Sequence, residues 1–216
     1  DAMRWMPPRI TAAVSTNSTS PVTVVLTPNE VCSAAAMLFA WLPASYHTLP
    51  APVLALVGGL LTKVAAYVLL RLLGDVFVAT PGILLEALGW LALATMLSGV
   101  LGAAYHWDLR RILAFHIVSQ IGYLLLGIAL ATPAGAAATV YFLFHNILVK
   151  ANLFLIAGLM FAAAGHYDLR RIGGLYPARP LLALLFLLSA FSLVGVPPTS
   201  GFWGKFMLLR EAFEQG

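Results

Sequence analysis

Most of the chain consists of long apolar stretches that short polar segments separate. Between residues 31 and 105, and again between 112 and 165, charged side chains are rare. A helix needs about 20 mostly apolar residues to cross a bilayer, so these stretches are long enough for several crossings. The pattern predicts full spans near residues 52–74, 82–105, 108–131 and 134–164.

Two apolar pieces near the end of the chain, 180–196 and 202–213, are each about half as long as a span. The sequence between them, GVPPTSG, holds two prolines beside glycines. Proline removes a backbone donor and clashes with the preceding turn, so we predict one helix that is broken at Pro197, Pro198 and Gly201. The expected fold is an all-α, polytopic transmembrane helix bundle with about five full spans and broken half-helices.

The first 29 residues differ from the rest of the chain. They are rich in Ser, Thr, Pro and Asn and lack the uninterrupted apolar core of a signal peptide. We therefore expect a poorly ordered or atypical segment at 1–29 and a transmembrane domain at 30–216, which opens with a short apolar piece at about 31–44. A glycosylation-type sequence at Asn17 is interpreted as a chance match.

The composition indicates a membrane protein. Of the 216 residues, 61% are hydrophobic and 9% are charged, whereas about 25% are charged in a soluble domain. The net charge of +4 comes mostly from short arginine-bearing loops, so no nucleic-acid partner is predicted. The single cysteine, Cys32, excludes an internal disulfide. Since no metal motif, phosphate loop or nucleophile motif is present, we predict neither a cofactor nor an enzyme activity.

An internal repeat lies in the polar loops, as HWDLRRI at 106–112 and HYDLRRI at 166–172. Two predicted spans separate the copies, so both loops are expected on one face of the membrane. Paired arginines are typical of cytoplasmic loops, which predicts a multi-pass protein of the bacterial inner (plasma) membrane. A docking site for another subunit is the alternative interpretation of the repeat.

Three lysines are predicted to lie inside the membrane. Lys63 and Lys150 are near the midpoints of their spans, where a lysine costs about 2.5–3.5 kcal/mol on insertion scales. Because no intramembrane acid accompanies them, we interpret both as proton-transfer residues, with a structural salt bridge as the alternative. Lys205 follows the predicted break, where the positive end of the second half-helix would disfavour a cation. We interpret it as a third proton-transfer residue.

Other polar side chains accompany these lysines. Helix 108–131 carries four of them at spacings that place them on one face: His116, Ser119, Gln120 and Tyr123. Such a stripe is compatible with interhelical hydrogen bonds and equally with a water-lined path in which histidine relays protons. In the next span, Asn146 lies one turn before Lys150 and on the same side, whereas His145 points elsewhere. His116 and His145 are further candidates for proton transfer.

Four segments resemble the proton-conducting antiporter-like family. That family includes the D subunit of Mrp-type sodium/proton antiporters and large membrane subunits of respiratory complex I and membrane-bound hydrogenases. The resemblance extends over about residues 35–216, and its WLPASYH and LLTK runs are most similar to the Mrp D subunit. The segments that carry it are LFAWLPASYHTLPAPVLALVGGLLTKVAAYVLLR, DLRRILAFHIVSQIGYLLLGIAL, HNILVKANLFLIAG and GVPPTSGFWGKFMLL.

The resemblance implies part of a fourteen-helix fold with two inverted five-helix repeats, each containing one broken helix. It implies that Lys63, Lys150 and Lys205 belong to a line of buried proton-carrying groups along the membrane midplane. It also implies that an essential glutamate lies upstream of this chain and that Cys32 stands where the family usually has a lysine. His116 stands where a small serine is common, so no family role transfers to it. The chain thus resembles a fragment from the middle of that fold.

The resemblance leads to one main functional hypothesis, a membrane subunit of a monovalent cation/proton antiporter that exchanges external protons for cytoplasmic sodium. Its partners would be other membrane subunits, the lipid bilayer, H⁺ and Na⁺. One alternative is a proton-pumping membrane subunit of an NADH-quinone oxidoreductase or a membrane hydrogenase. Another is a fragment that does not transport and only packs with partner subunits.

Overall fold

A computed structural model describes residues 41–46, 48–76 and 82–215. Predictions about residues 1–29, about Cys32 and about most of the short apolar piece at 31–44 lie outside these ranges. The ordered elements are helical. Their bounds are α1 Trp41–Tyr46, α2 Ala51–Arg71 with a π-helical turn at Leu72–Val76, α3 Gly82–Tyr105, α4 Leu109–Ala129, α5 Pro133–Ala164, α6 Leu175–Ala178, α7 Pro180–Val194 and α8 Ser200–Gln215.

Four of these helices, α2 to α5, are long and apolar enough to cross a membrane. Their bounds agree closely with the four predicted spans. The last two helices, α7 and α8, have 15 and 16 residues and are separated at Gly195. Each of them is shorter than the roughly 20 residues that a full crossing needs. The prediction of an all-helical bundle with a broken last helix is confirmed for the described ranges.

Local chemistry explains where the helices begin and end. The side chain of Asp108 caps α4 by accepting from the backbone N–H groups of Arg110 and Arg111 at 2.9 and 3.3 Å. The hydroxyl of Thr132 caps α5 in the same way. Gly165 ends α5 with a φ of 79°, in the left-handed region that glycine adopts without a steric penalty. Polar caps and glycine therefore stop the helices at the ends of the apolar runs.

The bundle is organised around α4 and α5. Helix α5 contacts α2, α4, α7 and α8, while α4 packs along α3. The most apolar 18-residue window of α4 is 67% buried, but that of α3 is only 17% buried, so α4 is a core helix and α3 a peripheral one. Gly99 of α3 lies so close to the backbone of Ser119 that any side chain there would collide with it.

The two DLRR loops pair with each other. Leu109 N–H donates to the carbonyl of Tyr167 at 3.1 Å, and Leu169 N–H donates to the carbonyl of Trp107 at 3.0 Å. The guanidinium of Arg110 stacks on the ring of Tyr167, and that of Arg170 stacks on the ring of Trp107. Each copy of the repeat thus holds the other in a reciprocal arrangement. This confirms that both loops share one face of the bundle, called the arginine face below.

A second polar contact lies at the opposite face. The hydroxyl of Thr132, in the turn between α4 and α5, donates to Oε1 of Glu211 on α8 at 2.7 Å. Leu208, one turn earlier on α8, is fully buried and lies close to Gly127 of α4. The far end of α8 is therefore attached to the turn that joins the two core helices.

Candidate functional site

Lys63 lies on α2 with only 2% of its surface exposed. Its ammonium donates to the carbonyl of Gly58 at 2.9 Å and to the hydroxyl of Thr62 at 3.1 Å. Within the described ranges no acidic side chain forms an ion pair with it. Lys63 is therefore held by neutral oxygen atoms from its own helix, as expected from the lack of an intramembrane acid.

Lys150 lies at the centre of α5 and is fully buried. Its ammonium donates across the helix interface to the carbonyl of Leu113 on α4 at 3.3 Å. Both Lys63 and Lys205 are within electrostatic interaction range of this group. Lys150 thus occupies the middle position among the three lysines.

Lys205 is half-buried beside the break between α7 and α8. Its ammonium donates to the carbonyls of Leu193 and Val194 at 3.2 and 2.8 Å. These carbonyls belong to the C-terminal end of α7, the negative end of a helix, which attracts a cation. The expectation that Lys205 faces the positive end of α8 is wrong, because its side chain reaches back across the break to the preceding half-helix.

His145 on α5 lines the same break. Its Nδ1 lies 2.9 Å from the hydroxyl oxygen of Ser200, which is in turn 3.5 Å from that of Ser192. Gly201 permits this close packing, since a side chain there would collide with the carbonyl of Ser192 and the ring of His145. His145 therefore belongs with Lys205 at the break and not with Lys150, in agreement with the direction predicted from helical spacing.

The polar side chains predicted to form one stripe on α4 lie on two sides of the helix. Nε2 of Gln120 lies 3.1 Å from Nδ1 of His116, and the ammonium of Lys205 lies 5.4 Å from the ring centroid of Tyr123. His116 is within electrostatic interaction range of Lys150 and Lys205. Ser119, in contrast, lies against Gly99 of α3. Three of the four predicted residues therefore face the lysines, and Ser119 lies at the α3 interface.

Asn146 is fully buried one turn before Lys150. Its Nδ2 donates to the carbonyl of Phe142 at 2.9 Å, while its Oδ1 has no hydrogen-bond partner within the described ranges. A buried acceptor of this kind normally binds water or another donor. Asn146 thus adds an unused acceptor to the region beside Lys150.

Contacts along α4 connect the surroundings of two lysines. Leu113, which binds Lys150, and Tyr123, which lies under Lys205, are separated by roughly 15 Å along the helix axis. His116 and Gln120 occupy the interval between them. The site therefore offers a row of groups that form hydrogen bonds between two amines on one helix face, and His116 is the one among them that titrates near neutral pH in water.

Several polar contacts near the site were not predicted from the sequence. Thr62 binds Lys63, Ser200 binds His145, and Nδ2 of Asn152 on α5 donates to Ser189 on α7 at 2.7 Å. Ser200 could have been found from its position two residues after the proline pair, where the next helix begins. Asn152 gave no signal, because a single polar residue in a span does not reveal its partner.

Comparison with known proteins links this geometry to one family. Residues 12–216 match the family described as NADH:quinone oxidoreductase/Mrp antiporter, TM. The match includes part of segment 1–29, whose separate character stays a prediction. Among curated proteins, the D subunit of a Na(+)/H(+) antiporter from Alkalihalophilus pseudofirmus is 46% identical over 176 residues, which cover 82% of this chain and 36% of that protein. The D subunit of the Bacillus subtilis Na(+)/H(+) antiporter is 38% identical over 179 residues, which cover 83% of this chain and 36% of that protein.

A solved structure gives the same result for the fold. A chain of the Mrp complex from a Dietzia species superimposes with a TM-score of 0.77 at 39% sequence identity, covering 87% of this chain and 36% of that one. The present chain thus spans about a third of the length of the relatives that it matches.

Proposed function

Because the chain belongs to the NADH:quinone oxidoreductase/Mrp antiporter transmembrane family, we propose that it forms part of a membrane subunit that exchanges a monovalent cation for protons. The observation that carries this proposal is the set of three membrane-embedded lysines. Each binds backbone carbonyls, and none pairs with an acid within the described ranges. Ionisable groups placed this way inside a membrane typically mark proton relays.

Protons would move between Lys63, Lys150 and Lys205, with Lys150 in the middle. Its contact with the Leu113 carbonyl is 3.3 Å long, at the weak end of hydrogen bonding, so little holds the ammonium in one place. A proton that leaves Lys150 would reach Lys205 through His116 and water along the polar face of α4. The unpaired oxygen of Asn146 supports the presence of water there.

At the break, His145 would join Lys205 in receiving the proton. The two residues approach the same gap from α5 and α8, and Ser200 connects the histidine to the start of the second half-helix. Backbone groups that a break leaves free need water or protein partners inside a membrane. The interruption between α7 and α8, set by Pro197, Pro198 and Gly201, would therefore provide the wet end of the route.

Sodium is the proposed exchanged cation, since the matched curated relatives are named as D subunits of Na(+)/H(+) antiporters. Other membrane subunits of a hetero-oligomeric complex are the proposed partners, because the matched structure is that of an Mrp complex. We place the protein in the bacterial plasma membrane with the arginine face in the cytoplasm, following the positive-inside rule.

A redox-driven proton pump is the second candidate function, since the family description also includes NADH:quinone oxidoreductase. The same lysines would serve such a pump. The names of the matched curated relatives favour the antiporter. The third candidate is a fragment that does not transport and only packs with partner subunits.

Everted membrane vesicles provide the decisive experiment. The chain would be produced within a complete subunit, together with its partner subunits, in cells that lack other sodium/proton antiporters. Addition of sodium should collapse the pH gradient, and replacing Lys63 or Lys150 by alanine should prevent the collapse. Arg210→Gln is the matched control, because Arg210 is exposed and pairs with Glu214 away from the lysines. A gradient collapse that depends on a quinone and NADH, but not on sodium, would favour the redox pump.

A further inference from the structure

An open groove of about 450 Å³ lies between the end of α5 and the start of α7. The space exists because Ala162, Ala163 and Ala178 have small side chains, which do not fill the gap between the helices at this level. Leucines form the walls: Leu159, Leu181, Leu182 and Leu185. Arg179 borders the groove where the chain enters α7.

The groove extends from the ends of α5 and α7 towards the middle of the bundle. Leu159 lies five residues before the end of α5, and Leu185 lies five residues after the start of α7, which corresponds to a depth of roughly 8 Å below the helix ends. Most of the surface of the groove is apolar. A peptide placed there would leave its backbone groups without hydrogen bonds, whereas an acyl chain has no such groups to satisfy.

Among the residues that line the groove, the charged one is Arg179. Five arginines lie on the arginine face: Arg110, Arg111, Arg170, Arg171 and Arg179. Asp108 lies 3.7 Å from Arg110, and Asp168 lies 3.9 Å from Arg171. Arg179 is exposed, and within the described ranges no ion pair or side-chain hydrogen bond engages it. Its guanidinium is available to an anion at the level of the lipid headgroups.

We propose that this groove binds an anionic phospholipid. The phosphate contacts the guanidinium of Arg179, and the upper part of an acyl chain lies against the leucines and alanines below it. A zwitterionic lipid fits less well, because its choline group places a second cation beside the guanidinium of Arg179. This site is independent of the lysine route and of the cation that the protein exchanges.

Native mass spectrometry of the full chain in a mild detergent tests the proposal, with phosphatidylglycerol as the probe and phosphatidylcholine for comparison. Arg179→Gln should reduce the bound fraction of phosphatidylglycerol by about fivefold, the effect of one arginine near an anionic surface. Ala162→Phe should abolish binding by filling the groove. The matched controls are Arg210→Gln, which removes an exposed arginine elsewhere, and Ala65→Phe, which adds the same ring on the exposed side of α2.

Three results would overturn the assignment. They are equal binding of the two lipids, unchanged phosphatidylglycerol binding in Arg179→Gln, and unchanged binding in Ala162→Phe. If the phenylalanine variant does not fold, as judged by circular dichroism, the glutamine variant decides alone, because Arg179 is exposed and its replacement disturbs no packing. Loss of binding in both variants with both controls unaffected would support it, whatever the vesicle experiments reveal about transport.

Discussion

The regions around Lys150 and Lys205 use the same interaction in two different settings. Both ammonium groups donate to backbone carbonyls, but Leu113 lies within the continuous helix α4, where each carbonyl also accepts a bond from its own helix. Val194 ends α7, and the last four carbonyls of a helix have no intrahelical partner. Lys205 therefore satisfies acceptors that the break creates, while Lys150 shares an acceptor that α4 already uses.

This difference shows two ways of keeping an amine inside a membrane. The helix break supplies Lys205 with two acceptors that no helical N–H uses, at 3.2 and 2.8 Å, beside a half-exposed gap. Complete burial and one long contact hold Lys150. If both lysines transfer protons, Lys150 should depend on losing its charge and Lys205 should depend on the broken backbone.

Replacing Lys150 by arginine should have the largest effect. Arginine retains the positive charge but does not deprotonate in a protein, so sodium/proton exchange in everted vesicles should fall to background, as we also expect for Lys150→Ala. Immunoblots of the membrane fraction should show normal amounts of the protein. Exchange at the wild-type rate in the arginine variant would mean that a fixed charge is sufficient and that Lys150 transfers no proton.

Lys63→Ala should also reduce exchange to background while leaving membrane insertion intact. Removing a lysine from the centre of a span relieves an insertion cost of about 2.5–3.5 kcal/mol, so the variant should accumulate at least as well as the wild type. Thr62→Val is a matched control that removes only the hydroxyl partner of the amine. Normal exchange in Lys63→Ala would show that this lysine lies off the route.

Restoring a continuous helix tests the role of the break. With Pro197 and Pro198 both replaced by alanine, the carbonyls that bind Lys205 would be engaged within the helix. Exchange should slow by about tenfold, the effect of losing one hydrogen bond to a charged group. Lys205→Ala should slow it at least as much. An unchanged rate in the double-alanine variant would show that the freed carbonyls are not needed.

His116→Ser should have a smaller effect, because Gln120 and water remain on the same face of α4. We expect exchange to slow by about fivefold, the effect of one neutral hydrogen bond. Ser119→Ala is the matched control: it lies one turn away at the α3 interface and should change nothing. Equal effects of the two substitutions would indicate a packing disturbance and remove His116 from the route.

The orientation of the bundle in the membrane can be tested by cysteine labelling, separately from transport. In a Cys32→Ser background, cysteines at Trp107 and Gly173 on the arginine face should resist a membrane-impermeant thiol reagent in intact cells. A cysteine at Ala134, exposed at the opposite end of the bundle, should react. Labelling of either position on the arginine face from outside would reverse the proposed topology.

The helices could be predicted well from the sequence, because their ends coincide with residues that stop helices for local reasons. Asp108 caps α4, Gly165 ends α5, and the pair Pro197 and Pro198 separates α7 from α8. Each signal depends on a few neighbouring residues. Local signals of this kind are readable without any knowledge of the packing.

The contacts of the site depended on packing and were harder to predict. Helical spacing predicted that Ser119 shares a face with His116 and Gln120. In the structure, Ser119 lies at the neighbouring side of α4, against Gly99 of α3. Spacing also could not show that Lys205 reaches back to α7, because the partner carbonyls lie eleven and twelve residues earlier in the chain. The prolines mark the position of the break, but the sequence does not show in which direction a long side chain crosses it.

The reciprocal pairing of the two DLRR loops has a mechanical consequence. It fastens the start of α4 to the segment that follows α5, so these helices are clamped at the end nearest the arginine face. Any movement of α4 relative to α5 is therefore smallest at the paired loops and largest at the opposite end of the two helices. There the hydrogen bond from Thr132 to Glu211 joins the core helices to α8. We expect this contact to open first when the bundle moves. A disulfide between cysteines placed at positions 132 and 211 would keep it closed. Exchange should then be lost, and a reducing agent should restore it.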